Sequence, residues 1–149
     1  MKIIIDADAC PKAVLKNAIE IAGQHRIQVI TVANFNHNIT SDLHIVVGDA
    51  SQEADIKIIN MTTPKDIVIT QDWGLAAVVL SKKAAAISPA GIEYKQEKIT
   101  FMLEEREIKA KIRRSGGHTK GPGKRTREED IRFAETLERM IIREEHQNK

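Results

Sequence analysis

Short apolar runs alternate with longer stretches of helical spacing over the first ninety residues. Ile3-Ile4-Ile5 is an uninterrupted run that stops at Asp6, the pattern of a strand buried on both faces. Pro11 suits the first turn of a helix that runs to about Gln24, with Val14, Leu15, Ala18, Ile19 and Ala22 on one face. Ile27–Val32 and Ile45–Val47 read as the next two strands, the latter ending at Gly48-Asp49. Ser51–Met61 has helical spacing, Ile67–Ile69 is a fourth strand, Trp73–Lys83 a further helix and Ala84–Ser88 a fifth strand. Strands and helices in alternation predict an α/β fold with a mainly parallel sheet.

Pro89 and Gly91 close that unit, and 92–99 suits a β-hairpin or a loop. Thr100–Arg113 is an amphipathic helical pattern. Gly116, Gly117, Gly121, Pro122 and Gly123 then exclude a helix over Ser115–Lys124. Thr126 with Glu129 three residues on is a capping box, and the helix after it draws an apolar face from Ile131, Ala134, Leu137, Met140 and Ile141. That face suits packing on the body or a homodimer contact equally.

The length of 149 residues fits one domain, with 1–94 as the α/β body and 95–149 as a basic glycine-rich loop and C-terminal helices. Aromatic residues are scarce, so the core must come from Ile, Val, Leu and Ala, and an aromatic platform for single strands is excluded. The single cysteine excludes a disulfide framework and a Cys-rich zinc site. No apolar run is long enough for a membrane span and no signal peptide fits, so a cytoplasmic protein is expected. The net charge of +2 hides an asymmetry: residues 1–94 hold 8 basic and 10 acidic side chains, whereas residues 106–127 hold nine basic side chains against Glu107 alone.

The acids fall where chemistry is expected. In open parallel sheets ligands bind beyond the carboxyl ends of the strands, where strand order reverses. Asp6 and Asp8 follow the first strand, Asp49 the third and Asp72 the fourth, while Asp55 lies one turn into the helix after Asp49. Like charges ~4 Å apart repel by about 4 kcal/mol at an effective dielectric near 20, so such a gathering calls for a cation or for protonation. Oxygen-only ligands select Mg²⁺ or Mn²⁺, and such an ion can orient water and stabilise charge on a phosphodiester. A metal-dependent nuclease is the functional expectation, with Ser51 and Thr70 as supporting hydroxyls. Asp8, Asp49 and Asp72, each taken alone, suit a helix N-cap in preference to a ligand, and Ser51 and Thr70 equally suit a turn or cap. Asp6 is the hardest to explain structurally, because it continues an all-Ile strand.

Three segments taken together, Ile3–Pro11 (with Asp6-Ala7-Asp8-Ala9-Cys10-Pro11), Gly48–Asp55 and Ile69–Ala76, resemble the YaiI/YqxD family of small bacterial proteins with a PIN-like nuclease domain. The likeness extends to Gly116-Gly117 and the Thr126–Phe133 stretch. It implies a three-layer α/β/α PIN-like sandwich with a C-terminal helical extension and an acidic metal centre. It also implies Asp6, Asp55 and Asp72 as the catalytic and metal-holding acids, with Asp8 and Asp49 as further metal candidates. Single-stranded RNA is the implied substrate.

The remaining features carry alternatives. Successive glycine N–H groups with Arg113, Arg114, Lys120, Lys124 and Arg125 suit phosphate binding, and equally a solvated connector. Cys10 at a helix start is a packing residue in preference to a nucleophile, no histidine pair has metal-ligand spacing, and Trp73 suits either base stacking or core cover. Two rival functions stay open: a non-catalytic RNA-binding protein with a vestigial acidic site, and a haloacid-dehalogenase-type phosphatase using Asp6 and Asp8.

Overall fold

The computed structural model describes residues 1–35, 38–48, 52–114, 116 and 124–147, without the side chains of 102 and 103. Five strands, β1 (Lys2–Asp6), β2 (Gln28–Ala33), β3 (Leu43–Val46), β4 (Ile67–Ile69) and β5 (Ala85–Ile87), form one sheet in the order β3-β2-β1-β4-β5. Every pairing is parallel, with Ile5 opposite both Thr31 and Ile69. Strand order reverses between β1 and β4, so the crevice beyond their carboxyl ends is the topological switch point.

The runs of Ile and Val need cover on both faces, and the helices supply it. Alternate side chains Ile3, Ile5, Ile67, Ile69 and Ile87 pack with Val14, Ala18 and Ala22 of α1 (Lys12–Gln24) and Phe133, Leu137, Met140 and Ile141 of α5 (Arg127–Gln147). Ile4, Ile30, Val32, Val68 and Ala86 face the other way, onto Ala54 and Ile58 of α2 (Glu53–Met61) and Leu75, Ala76 and Val79 of α3 (Trp73–Ser81). The result is the expected α/β/α sandwich. The remaining helix, α4 (Gln96–Arg114), leans on α3, and among its described side chains only Ile99 is buried.

Several boundaries and faces differ from the sequence expectation. The stretch after β5 is a loop only as far as 95, with one antiparallel bridge from Ile87 to Glu93, and α4 begins at Gln96, inside the span expected to be non-helical. Pro11 sits at the N-cap of α1 and not within its first turn. On α5 the buried stripe is Phe133, Leu137, Met140, Ile141 and Glu144, while Ile131 is 50% exposed. Phe133 fills the space between α5, α1 and the sheet, so it sets the rotation of the helix. Leu137, Met140 and Ile141 are fully buried within the chain, which removes them as a pairing surface.

The amino-terminal end of the central strands β1 and β4, away from the crevice, is held by a buried ion pair. Asp66 is nearly inaccessible and accepts from the Lys2 backbone N–H (3.0 Å), Lys2 Nζ (2.6 Å) and the N–H and hydroxyl of Thr63 (both 2.8 Å). These partners hold its carboxyl below the usual range although burial opposes them. Its stabilising effect is therefore present above the ordinary carboxylate pKa and lost as pH falls through the lowered one. Replacing Asp66 by Ala strands Lys2 and is expected to cost about 3–5 kcal/mol in urea unfolding.

Candidate metal centre

The crevice beyond β1 and β4 has a volume of about 370 Å³ and is lined by Asp6, Asp8, Asn34, Asp55, Gln71 and Asp72, with Ala9 and Ala54. Each acid arrives by a different route. Asp6 is the last residue of β1, so the register that buries Ile3–Ile5 delivers its carboxylate to the crevice. Asp8 lies in the single 3-10 turn Ala7–Ala9 that follows. Asp55 stands in the first turn of α2, and Asp72 is the N-cap of α3.

Hydrogen bonds aim three of the acids. Thr70, directly after β4, donates its hydroxyl to Asp6 Oδ2 at 2.9 Å and so bridges the switch point. The same Thr70 oxygen accepts from the Asp72 N–H at 3.0 Å, and the buried Tyr94 hydroxyl donates to the Thr70 carbonyl at 3.0 Å. The Asn34 N–H, just past β2, donates to Asp8 Oδ2 at 2.6 Å. Asp72 Oδ1 accepts from Gly74 (2.8 Å) and Leu75 (3.2 Å), so this residue does cap its helix. Capping occupies one oxygen of Asp72. The other accepts no hydrogen bond among the described residues and remains available to the crevice.

Burial and neighbouring charge act together on two of the acids. Burial pushes the Asp6 carboxyl up to about 6; the Thr70 hydrogen bond resists this, and the charges of Asp55, Asp8 and Asp72 add to it. The carboxyl of Asp55 is raised by burial and then by Asp72. Asn34 Oδ1, a hard neutral donor beside these acids, is buried with no hydrogen-bond partner among the described residues. Among the same residues no three His, Cys, Asp or Glu side chains are drawn together tightly enough to form a ligand group as they stand.

Other sequence candidates separate by position. Asp49, Ser51 and Lys120 lie outside the described residues, and Gln52 occupies the N-cap of α2 without a side-chain bond. Arg113 and Arg114 end α4 and are exposed, as is Lys124. Arg125 is half-buried and committed to the fold: its guanidinium bonds Asp130 Oδ1 (2.6 Å) and the Pro89 carbonyl (2.7 Å) and lies 3.7 Å from Glu129. Cys10 packs against the core, and burial pushes its thiol up to about 12, which keeps it protonated and non-nucleophilic. His25 is no metal ligand: its two ring nitrogens meet Glu138 (2.8 Å) and Glu145 (3.1 Å) and tie α1 to α5. Asn34, Gln71 and Tyr94 were not singled out from the sequence. For Asn34 a signal was present, since it follows β2 as Asp6 ends β1; nothing local marks Gln71 or Tyr94.

Comparison with known proteins adds a family context. The family described as "Uncharacterized BCR, YaiI/YqxD family" matches residues 4–143. A UPF0178 protein of Heliobacterium modesticaldum is 52% identical over 141 residues, covering 95% of this chain and 97% of its own. UPF0178 proteins of Clostridium kluyveri (43% over 145 residues, 95% and 93% coverage) and Clostridium tetani (44% over 140 residues, 92% and 94%) are similar over the same extent. No solved structure matches the chain significantly. No helix of the described residues is long and apolar enough to cross a membrane.

Proposed function

The chain belongs to the YaiI/YqxD family, and from its acidic crevice we propose a PIN-like, divalent-metal-dependent nuclease that hydrolyses single-stranded RNA. One observation carries this reading: four carboxylates from separate elements line a single crevice at the switch point of a parallel sheet, where burial and then the neighbouring acids raise the carboxyls of Asp6 and Asp55. The donor chemistry suits a hard cation, and the acids would have to draw closer to share one. Among the described residues the donor set consists of carboxylate and amide oxygens, without sulfur or imidazole, which suits Mg²⁺ or Mn²⁺ in preference to Zn²⁺.

Asp6, Asp55 and Asp72 would hold the ion, with Asp8 and Asp49 as further candidates. Bound there, the ion neutralises the acids and supplies charge stabilisation to a phosphodiester in displacement. The chain's own residues prepare the site. Thr70 orients Asp6 and is itself fixed by Tyr94; the first turn of α3 orients Asp72; the Asn34 backbone orients Asp8. Arg113, Arg114 and Lys124 are exposed cations suited to the RNA backbone, with Lys120 as a further candidate.

The test is incubation of labelled single-stranded RNA with the protein in Mn²⁺, Mg²⁺ or a chelator. Metal-dependent fragments are expected. Salt-sensitive binding without turnover would instead assign a non-catalytic RNA-binding protein, and hydrolysis of an aryl phosphate without RNA cleavage would assign a phosphatase.

A further inference from the structure

A second hollow, of about 340 Å³, adjoins the acidic crevice. Trp73, Pro11, Pro89, Arg125, Gln71 and Ser88 are among the residues that wall it. Gln71 lines both hollows and is fixed by donating Nε2 to the Ala9 carbonyl at 3.0 Å. Asp72 of the crevice and Trp73 of the hollow are consecutive, so a group bound at one is within about one nucleotide of the other.

The walls have a distinct chemistry. Trp73 is half-buried: part of it packs on the α2–α3 side of the core and part lines the hollow, so the indole is held in place before any ligand arrives. Both roles open to Trp73 from the sequence are thus compatible. Arg125 is immobilised by Asp130, the Pro89 carbonyl and Glu129, and its charge is already balanced by the two acids. A balanced guanidinium offers little to a phosphate, but its plane, the flat indole of Trp73 and the apolar faces of the two proline rings suit a neutral aromatic group. Gln71 adds an amide and Ser88 a hydroxyl for polar edges.

We propose that this hollow is a nucleobase subsite, which seats the base of the nucleotide next to the phosphate bound at the acidic crevice. The inference rests on the nuclease reading for its substrate, yet its test does not. Trp73 is the only tryptophan, so its emission reports this hollow alone. In chelator, titration with adenosine is expected to quench the emission saturably, whereas ribose, the same sugar without the base, leaves it unchanged. In polarisation assays with a labelled RNA tetranucleotide, Trp73→Ala is expected to weaken binding about 10-fold or more, and Trp73→Phe, which keeps a stacking ring, to recover most of it. Thermal melts of both variants check that the fold persists.

Equal quenching by both probes, no quenching, or wild-type binding by a folded Trp73→Ala variant would overturn the subsite. RNA cleavage with a silent Trp73 removes the subsite and leaves the nuclease. A base-dependent Trp73 response without cleavage upholds the subsite and removes the nuclease.

Discussion

Asp6→Asn is expected to abolish metal-dependent RNA cleavage while making the metal-free protein more stable at neutral pH. The two effects share one cause. Burial and the charges of Asp55, Asp8 and Asp72 hold the Asp6 carboxyl at about 6 against its usual 3.8. In the unfolded chain that acid ionises near its ordinary value, so between pH 4 and pH 6 unfolding releases a proton. Stability is highest where Asp6 is protonated in both states and declines as pH rises through this window, then levels off. The shift corresponds to about 3 kcal/mol at neutral pH. An amide carries no charge to repel its neighbours and still accepts from Thr70, so most of that amount should be recovered. Urea unfolding in chelator at pH 4 and pH 7 measures it: the difference between variant and wild type should grow with pH. Asp66 and Glu93, whose carboxyls are held low by cationic and hydrogen-bonding partners, contribute the opposite slope but are common to both proteins. In Mn²⁺ the order of stability should reverse or narrow, because only the wild type gains a full ligand set. A variant that is less stable than wild type at every pH, or that cleaves RNA at the wild-type rate, would remove Asp6 from the proposed role.

Gly91→Ala is expected to be among the most damaging single-methyl additions in the chain. Gly91 has φ +87°, a conformation that costs an L-residue about 1–2 kcal/mol. A Cβ there would also meet the Phe133 backbone nitrogen at 2.5 Å and the Arg132 carbonyl carbon at 2.7 Å. Both neighbours are main chain of α5 and have no rotamer to escape into. Around this contact Arg132 donates to the Ala90 carbonyl and Arg125 to the Pro89 carbonyl, each at 2.7 Å, so the turn and the start of α5 are clamped together. Moving α5 outward would withdraw Phe133, which is fully buried. A loss on the order of 3–5 kcal/mol in denaturant unfolding is expected. A loss under about 1 kcal/mol would show that α5 docks more loosely than its contacts imply.

Element by element, local pattern was a good guide where one force dominated. The apolar runs at 3–5 and 67–69 could only be strands covered on both faces, and β1 and β4 are such strands. Where no single force dominated, the boundary moved: 92–99 was read as a hairpin or loop, yet α4 begins at Gln96, four residues before Thr100. The face of α5 was misjudged at Ile131 because helical spacing alone admits neighbouring stripes. Only the cavity that Phe133 fills selects one of them.

The candidate site divides in the same way. Acids ending apolar strands are legible in one dimension, since a charge that terminates a buried run must find a cation, a hydrogen bond or water. Asp6, Asp8, Asp49 and Asp72 were therefore nominated by sequence, and Asp55 by its place one turn into the helix after Asp49. That they share a crevice depends on the order β3-β2-β1-β4-β5, which sets β1 beside β4 although more than sixty residues separate them. The Thr70–Asp6 bridge, the Tyr94 support beneath it and the commitment of Arg125 to Asp130 and Pro89 are consequences of that packing. Hydrophobic periodicity encodes which face of an element is buried; it does not encode which element covers it, and hydrogen bonds between distant residues exist only once that choice has been made.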